Sequence, residues 1–314
     1  MLSRTADHLF WMARYIERAE NLARVLDVTY GMSLFPHAAQ SDEALWLPPM
    51  QIAGEPEVFA LQYGEFTTAN VIRYLVLDES NPSSILSSLN RARENARAVR
   101  VAMSYEMWES VNSLWLELMQ RVKYGVSESD LTEFCDWVRS RSHLLRGVTF
   151  GTKLRDDGFR FLRLGTMIER ADSTARLLDV KYSLLHDQAE DEGLIDYYEW
   201  SAVLRSVSAF EAYQKVFSDT ITPRRVAELL VMNDDMPRSL HACFDEITPI
   251  LEHLCGARGH ECLRMAGELH AQLHYGQMEN VFRDDLNIFL EDFMERNDAL
   301  GAEIQRTFLQ DSIF

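Results

Sequence analysis

The sequence predicts an all-α protein, a tandem-duplicated helical bundle whose two similar halves, residues 1–151 and 152–314, pack together. Three observations predict it. Residues 16–30 (IERAENLARVLDVTY) and 168–182 (IERADSTARLLDVKY) match at ten of fifteen positions, at a constant offset of 152. A match that long at fixed spacing marks an internal repeat. Each copy also has helical periodicity with no Gly or Pro inside it. At 100° per residue Trp11, Met12, Tyr15, Ile16, Ala19, Leu22, Ala23, Leu26 and Tyr30 gather on one face, as do Ile168, Ala171, Ala175, Leu178 and Tyr182. Finally, no segment reads convincingly as a strand.

The first helix starts at an N-cap such as Ser3 or Thr5 and runs toward Ser33. Residues 36–56 are the least regular stretch, because Pro36, Pro48, Pro49, Gly54 and Pro56 break any long helix there. Helical character returns over 57–77. Asn81-Pro82 then turns the chain, with Ser80 or Asn81 available as a cap. From Pro82 to Tyr124 nothing interrupts the pattern, which predicts the longest helix or two nearly continuous ones, ended by Gly125. A helix from Ser127 or Ser129 ends at Gly147, and a loop holding Gly151 and Gly158 leads to the second repeat.

The second repeat helix runs to about His186, followed by the acidic connection DQAEDEG. A helix over 196–218 comes next, and Pro223 opens another. Residues 228–244 match 73–89 at offset 155, with Leu75/Leu230, Val76/Val231, Pro82/Pro237 and Ser84/Ser239 identical. Trp46 and Trp200 fall near the same offset, so the duplication spans more than one helix. Gly256 and Gly259 separate two further helices, and a helix over 282–309 closes the chain.

Diverging repeats are expected to keep an apolar face and let a solvated face drift. Here the pairs Glu17/Glu169, Arg18/Arg170, Arg24/Arg176 and Asp27/Asp179 are identical, and Glu20/Asp172 keeps its charge. Local pairing such as Glu20 with Arg24 adds only about 0.2–0.5 kcal/mol. A buried or half-buried ion network that fixes how the repeats dock is the better reading. Its sharpest form pairs Glu17 with Arg170 and Glu169 with Arg18. A binding site made of the same residues is a further reading.

Composition narrows the classes. The 47% hydrophobic content suits a globular core, and the net charge of −18 argues against nucleic acid and anionic membrane surfaces as partners. Cys135, Cys243, Cys255 and Cys262 include no C-x-x-C pair and read as buried small hydrophobes, which suits a reducing cytoplasm. The N-terminal segment resembles a helix start rather than a signal peptide, and no run of about 18 apolar residues occurs.

Arg93, Arg97 and Arg100 stand at i, i+4 and i+7, which predicts one basic helix face. Three like charges there call for anionic partners, either carboxylates of the same chain or a phosphate or carboxylate ligand. Arg238 is the isolated second-half counterpart. His270 and His274 have the i, i+4 spacing of a metal pair, but no third ligand is evident, so the reading includes no metal and no cofactor. The chain has no Glu-x-x-His, phosphate loop or Gly-x-Ser-x-Gly, so no catalytic residue is identified.

The two IER-A-[ED] helices, the Asn81-Pro82 and Met236-Pro237 turns, and ARENARAVR followed by Glu106, Met107 and Trp108 closely resemble the alpha-E family. That family is named for a helical domain with a Glu-Arg motif, here Glu17-Arg18 and Glu169-Arg170. The resemblance implies association with a peptide synthesis or modification system. Such a system contains a circularly permuted ATP-grasp protein, a transglutaminase-like protein and an N-terminal-nucleophile peptidase. The expected role is a non-catalytic partner or substrate-presenting subunit. The competing reading is an enzyme or small-molecule binding protein whose site, between the repeats, uses Glu17 and Glu169 with an arginine cluster.

Overall fold

The computed structural model describes residues 2–34, 41–186, 193–256, 259–283 and 285–309. Pro36 and the acidic connection at 187–192 lie outside the described residues. Every regular element among the described residues is helical. The chain divides into two compact units, one of residues 8–165 and one of residues 1–7 with 166–314.

The first unit is built on α1 (Ser3–Ser33), whose apolar face buries Leu9, Met12, Ile16, Ala19, Leu22, Ala23 and Leu26. Against the sequence expectation, α2 (Asp42–Ala53) runs straight through Pro48 and Pro49. The Ser41 hydroxyl caps it by accepting from the Ala44 N–H, and both proline rings lie buried beside Trp46 and Met50. Burial of that face outweighs the two missing N–H donors.

Residues 57–77 divide into α3 (Pro56–Tyr63), α4 (Thr68–Ile72) and a π turn at Arg73–Leu77. Gly64, at φ 77°, makes the break after α3. The stretch from Pro82 to Tyr124 forms two helices, α5 (Ile85–Ala98) and α6 (Tyr105–Arg121), separated by a 3-10 turn at Arg100–Ala102. The longest helix is α1 instead, with 31 residues. α5 is capped by Ser84, not by Ser80 or Asn81. The buried Asn81 instead turns the backbone, accepting from the Ser83 N–H. α7 (Leu131–Thr152) packs on α6 and passes through both Gly147 and Gly151. An interior glycine costs only about 1 kcal/mol, and buried Leu145 and Thr149 hold the helix on either side of Gly147.

α8 (Asp157–His186) takes in Gly158, which the sequence had suggested as loop, and carries the second repeat motif. The next stretch is α9 (Gly193–Ser206) and α10 (Phe210–Phe217), not one helix, because Ser208 adopts φ 53° between them. α11 (Pro223–Val231) starts at proline under a Thr222 cap. α12 (Leu240–Cys255) and α13 (His260–Tyr275) pack together as a helical hairpin, with Gly256 following the one and Gly259 preceding the other. α14 (Met278–Arg283) and α15 (Leu286–Ile304) complete this unit, with α15 against α13.

The duplication is visible in capping. The Ser239 hydroxyl accepts from the Ala242 N–H at 2.9 Å, as Ser84 does from the Ser87 N–H at 3.1 Å. Trp46 and Trp200 are both buried, one in each unit. All four cysteines are free and buried, and burial raises the Cys255 thiol to about 11. Among the described residues no helix is long and apolar enough to cross a membrane.

Candidate functional site

The charged stripe of the first repeat is buried. Glu17 and Glu20 are 1% and 0% exposed, and Arg24 is nearly as enclosed. Arg24 donates to Glu20 through Nε at 3.2 Å and through Nη2 at 2.7 Å. Further partners come from α7. Ser142 Oγ donates to Glu20 Oε2, and Arg146 Nη2 sits 3.1 Å from Glu17 Oε2 and 2.5 Å from Glu20 Oε2. His143 Nε2 lies 3.0 Å from Arg24 Nη2 and 3.4 Å from Glu20 Oε1. One turn further along, Arg139 pairs with Asp27 at 3.2 Å.

Four α7 side chains therefore meet α1: Arg139, Ser142, His143 and Arg146. Their spacing of i, i+3, i+4 and i+7 puts them on one helix face. The signal is legible in RSRSHLLR, though sequence reasoning missed it. Arg141, off that face, clamps Glu117 of α6 at 2.5 Å.

The second repeat holds its stripe differently. Asp172 meets Arg176 at 2.8 Å, and Arg176 reaches Asp298 at 3.7 Å. Arg170 Nη1 donates to the Pro237 carbonyl at 3.2 Å, and Thr174 donates to the Arg238 carbonyl at 2.9 Å. These bonds pin the Met236–Ser239 turn to α8. Glu169 is buried as well. α7 and α15 begin at Leu131 and Leu286, again 155 apart. At that offset Ser142, His143 and Arg146 become Asn297, Asp298 and Gly301. The histidine and arginine over the carboxylates have no counterpart at the matching positions of the second half.

Burial pushes the Asp172 carboxyl above its usual range, with Arg176 pulling the other way. Burial also raises Asp179, with Glu291 adding to it. A raised carboxyl binds its proton more readily in the folded chain than in the unfolded one. Stability from this source therefore falls as pH rises from the ordinary carboxylate range through the raised value. Asp172→Asn is expected to flatten that fall on the alkaline side of the ordinary carboxylate range, read from urea midpoints taken across pH. An unchanged pH profile contradicts this role for Asp172.

The basic stripe is not one face, because α5 ends before Arg100. Arg93 and Arg97 share Glu94, at 2.8 and 3.3 Å. Arg93 also lies over the Trp115 ring, and Arg100 over the Trp108 ring at 5.0 Å. His270 and His274 do acquire further neighbours: α12 brings His241 and Asp245 beside them.

The alpha-E family model, described as a predicted alpha-helical domain with a conserved ER motif, matches residues 1–309. Uncharacterized protein Mb2597 of Mycobacterium bovis is 26% identical over 311 residues, covering 93% of this chain and 35% of the relative. Uncharacterized protein Rv2567 of Mycobacterium tuberculosis is 25% identical over the same shares. The chain thus spans about a third of the length of these curated relatives. No solved structure matches the chain significantly.

Proposed function

We propose that this chain, which belongs to the alpha-E family, is a binding protein that holds the carboxylate or phosphate of a small ligand on Arg146 and His143. One observation carries the reading. Arg146 is 28% exposed and anchored through Nη2 to buried Glu17 and Glu20, while Nε and Nη1 meet no partner among the described residues. A guanidinium fixed by one edge presents its other N–H groups in the fork that matches a carboxylate. His143, 53% exposed, adds a second ring nitrogen beside it. The buried carboxylates orient the arginine before any ligand arrives, which lowers the ordering cost of binding.

A peptide or amino-acid carboxylate suits the partners that the resemblance implies. An ATP-grasp protein activates carboxylates with ATP, and a chain that holds such a ligand presents it. The circularly permuted ATP-grasp and transglutaminase-like proteins are part of this proposal, and their support is that chemical fit.

Calorimetry with a tripeptide bearing a free C-terminus, its amide, and inorganic phosphate tests the reading. Saturable binding of the free acid or of phosphate is expected, weakened about 10–100-fold by Arg146→Gln, the worth of a charge-assisted pair. His143→Gln, a change at an exposed site, is expected to weaken it less. Absence of binding by all three probes, or equal binding by acid and amide, contradicts the proposal.

A further inference from the structure

We propose that His241, Asp245, His270 and His274 form a binding site for one divalent transition-metal ion of the zinc class. The site lies in the α12–α13 hairpin of the second half and shares no residue with the Arg146 cluster.

Hairpin geometry brings the four together. His241 lies fifteen residues before Gly256, and His274 fifteen after Gly259; Asp245 and His270 each lie eleven away. In an antiparallel pair, residues equidistant from the turn stand opposite one another. Each helix also repeats its ligand at i+4, on the same face. The result is a square of four donors, two from each helix.

The distances fit a small ion. His241 Nε2 is 3.1 Å from His274 Nδ1 and 3.5 Å from Asp245 Oδ1, and His270 Nε2 is 2.7 Å from Asp245 Oδ1. All four donor atoms lie within 4.8 Å of one another. Tetrahedral zinc with bonds of about 2.0–2.1 Å separates its donors by about 3.3 Å. Small side-chain rotations therefore suffice to enclose the ion.

An outer contact sets the chemistry of the most buried ligand. His241 Nδ1 lies 2.8 Å from the Met232 carbonyl, which only accepts. In the neutral ring the proton therefore stays on Nδ1, and Nε2 turns its lone pair toward the other three donors. Carbonyl-bound histidines of this kind are the usual arrangement in metal sites. Three imidazoles and one carboxylate favour Zn²⁺, Co²⁺ or Ni²⁺ over Mg²⁺ and Ca²⁺, which prefer all-oxygen shells.

The duplication supplies an internal comparison. α5 and α12 begin at Ile85 and Leu240, and α6 and α13 at Tyr105 and His260, both 155 apart. At that offset the four ligand positions are Leu86, Asn90, Trp115 and Met119. Leu86, Trp115 and Met119 pack against the core of the first unit. The first half thus closes its hairpin with apolar contact, whereas the second half carries four donors in the same places. Replacing a packed apolar seam with imidazoles gives up hydrophobic contact, and a bound ion restores the link between the helices.

The test is calorimetric titration of Zn²⁺ into the full chain after dialysis against a chelator, with Co²⁺ as a spectroscopic substitute. One ion per chain is expected, together with the visible absorption of tetrahedral Co²⁺. Saturating Zn²⁺ is expected to raise the thermal midpoint by about 5–10 °C. His274→Ala and Asp245→Asn alter exposed side chains, so both variants are expected to keep the helical circular dichroism of the parent. Each is expected to weaken binding by about 100-fold or more, since loss of an outer partner alone costs 10–100-fold. His253→Ala, also on α12 but outside the cluster, is expected to bind as the parent does. No saturable binding of Zn²⁺, Co²⁺ or Ni²⁺, or binding untouched by both cluster variants, overturns the assignment.

Discussion

Glu20→Ala is expected to cost about 3–5 kcal/mol, the largest loss of any single charged residue in the first unit. The reason is what it leaves behind. Glu20 is fully buried and takes bonds from Arg24, Arg146 and Ser142. Removing its carboxylate leaves the enclosed Arg24 guanidinium without the carboxylate it bonds through Nε and Nη2, and Ser142 without its Glu20 acceptor. Glu20→Gln keeps the shape and an acceptor for Ser142 but loses the charge, so an intermediate loss is expected. Arg97→Ala removes only an exposed pair with Glu94 and is expected to change stability by roughly 0–1 kcal/mol. Urea midpoints of the three variants decide the matter. Equal midpoints for Glu20→Ala and Arg97→Ala would mean that the buried network contributes nothing beyond a surface pair.

The second large effect is expected at Gly165. A Cβ added there would stand 2.3 Å from the Phe10 carbonyl oxygen, far inside contact distance. The obstacle is helix backbone, which cannot rotate away as a side chain does. α1 and the start of α8 must part for any larger residue to fit. Gly165→Ala is therefore expected to cost about 3 kcal/mol, the upper end of the overpacking range. Gly147→Ala is the control, because nothing lies within 4 Å of the added carbon. There the better helix propensity of alanine is expected to stabilise by up to about 1 kcal/mol. Both glycines lie in helix interiors, so opposite signs isolate the close approach. Destabilisation of both by the same amount contradicts it.

The two long repeat helices were legible because local periodicity and duplication point the same way. The same holds for the paired turns, since a serine cap needs only its own following residues. Ser84 was nonetheless missed in favour of Ser80 or Asn81, because Asn81 spends its side chain on the turn and three more residues intervene. Glycine misled at 147, 151 and 158. Its local penalty is about 1 kcal/mol, less than the burial that holds a long helix together. Pro48 and Pro49 misled for the same reason. The partners of Glu20 lie more than a hundred residues away, so the 16–30 repeat cannot name them. Their own heptad spacing on α7 does mark one charged face. The His270–His274 pair was legible, but its third and fourth partners needed the hairpin register. That register follows from the glycine turn only once both helices are known to flank it.

The most direct measurement is the Nε–H nuclear magnetic resonance signal of Arg146, assigned by its loss in Arg146→Lys. Titration with a tripeptide bearing a free C-terminal carboxylate is expected to shift that signal saturably. The Arg24 signal, already committed to Glu20, is expected to move little. The amidated tripeptide is expected to leave both unchanged. An Arg146 signal that ignores the free acid and phosphate alike, or that responds equally to acid and amide, contradicts a binding role for the buried Glu–Arg cluster.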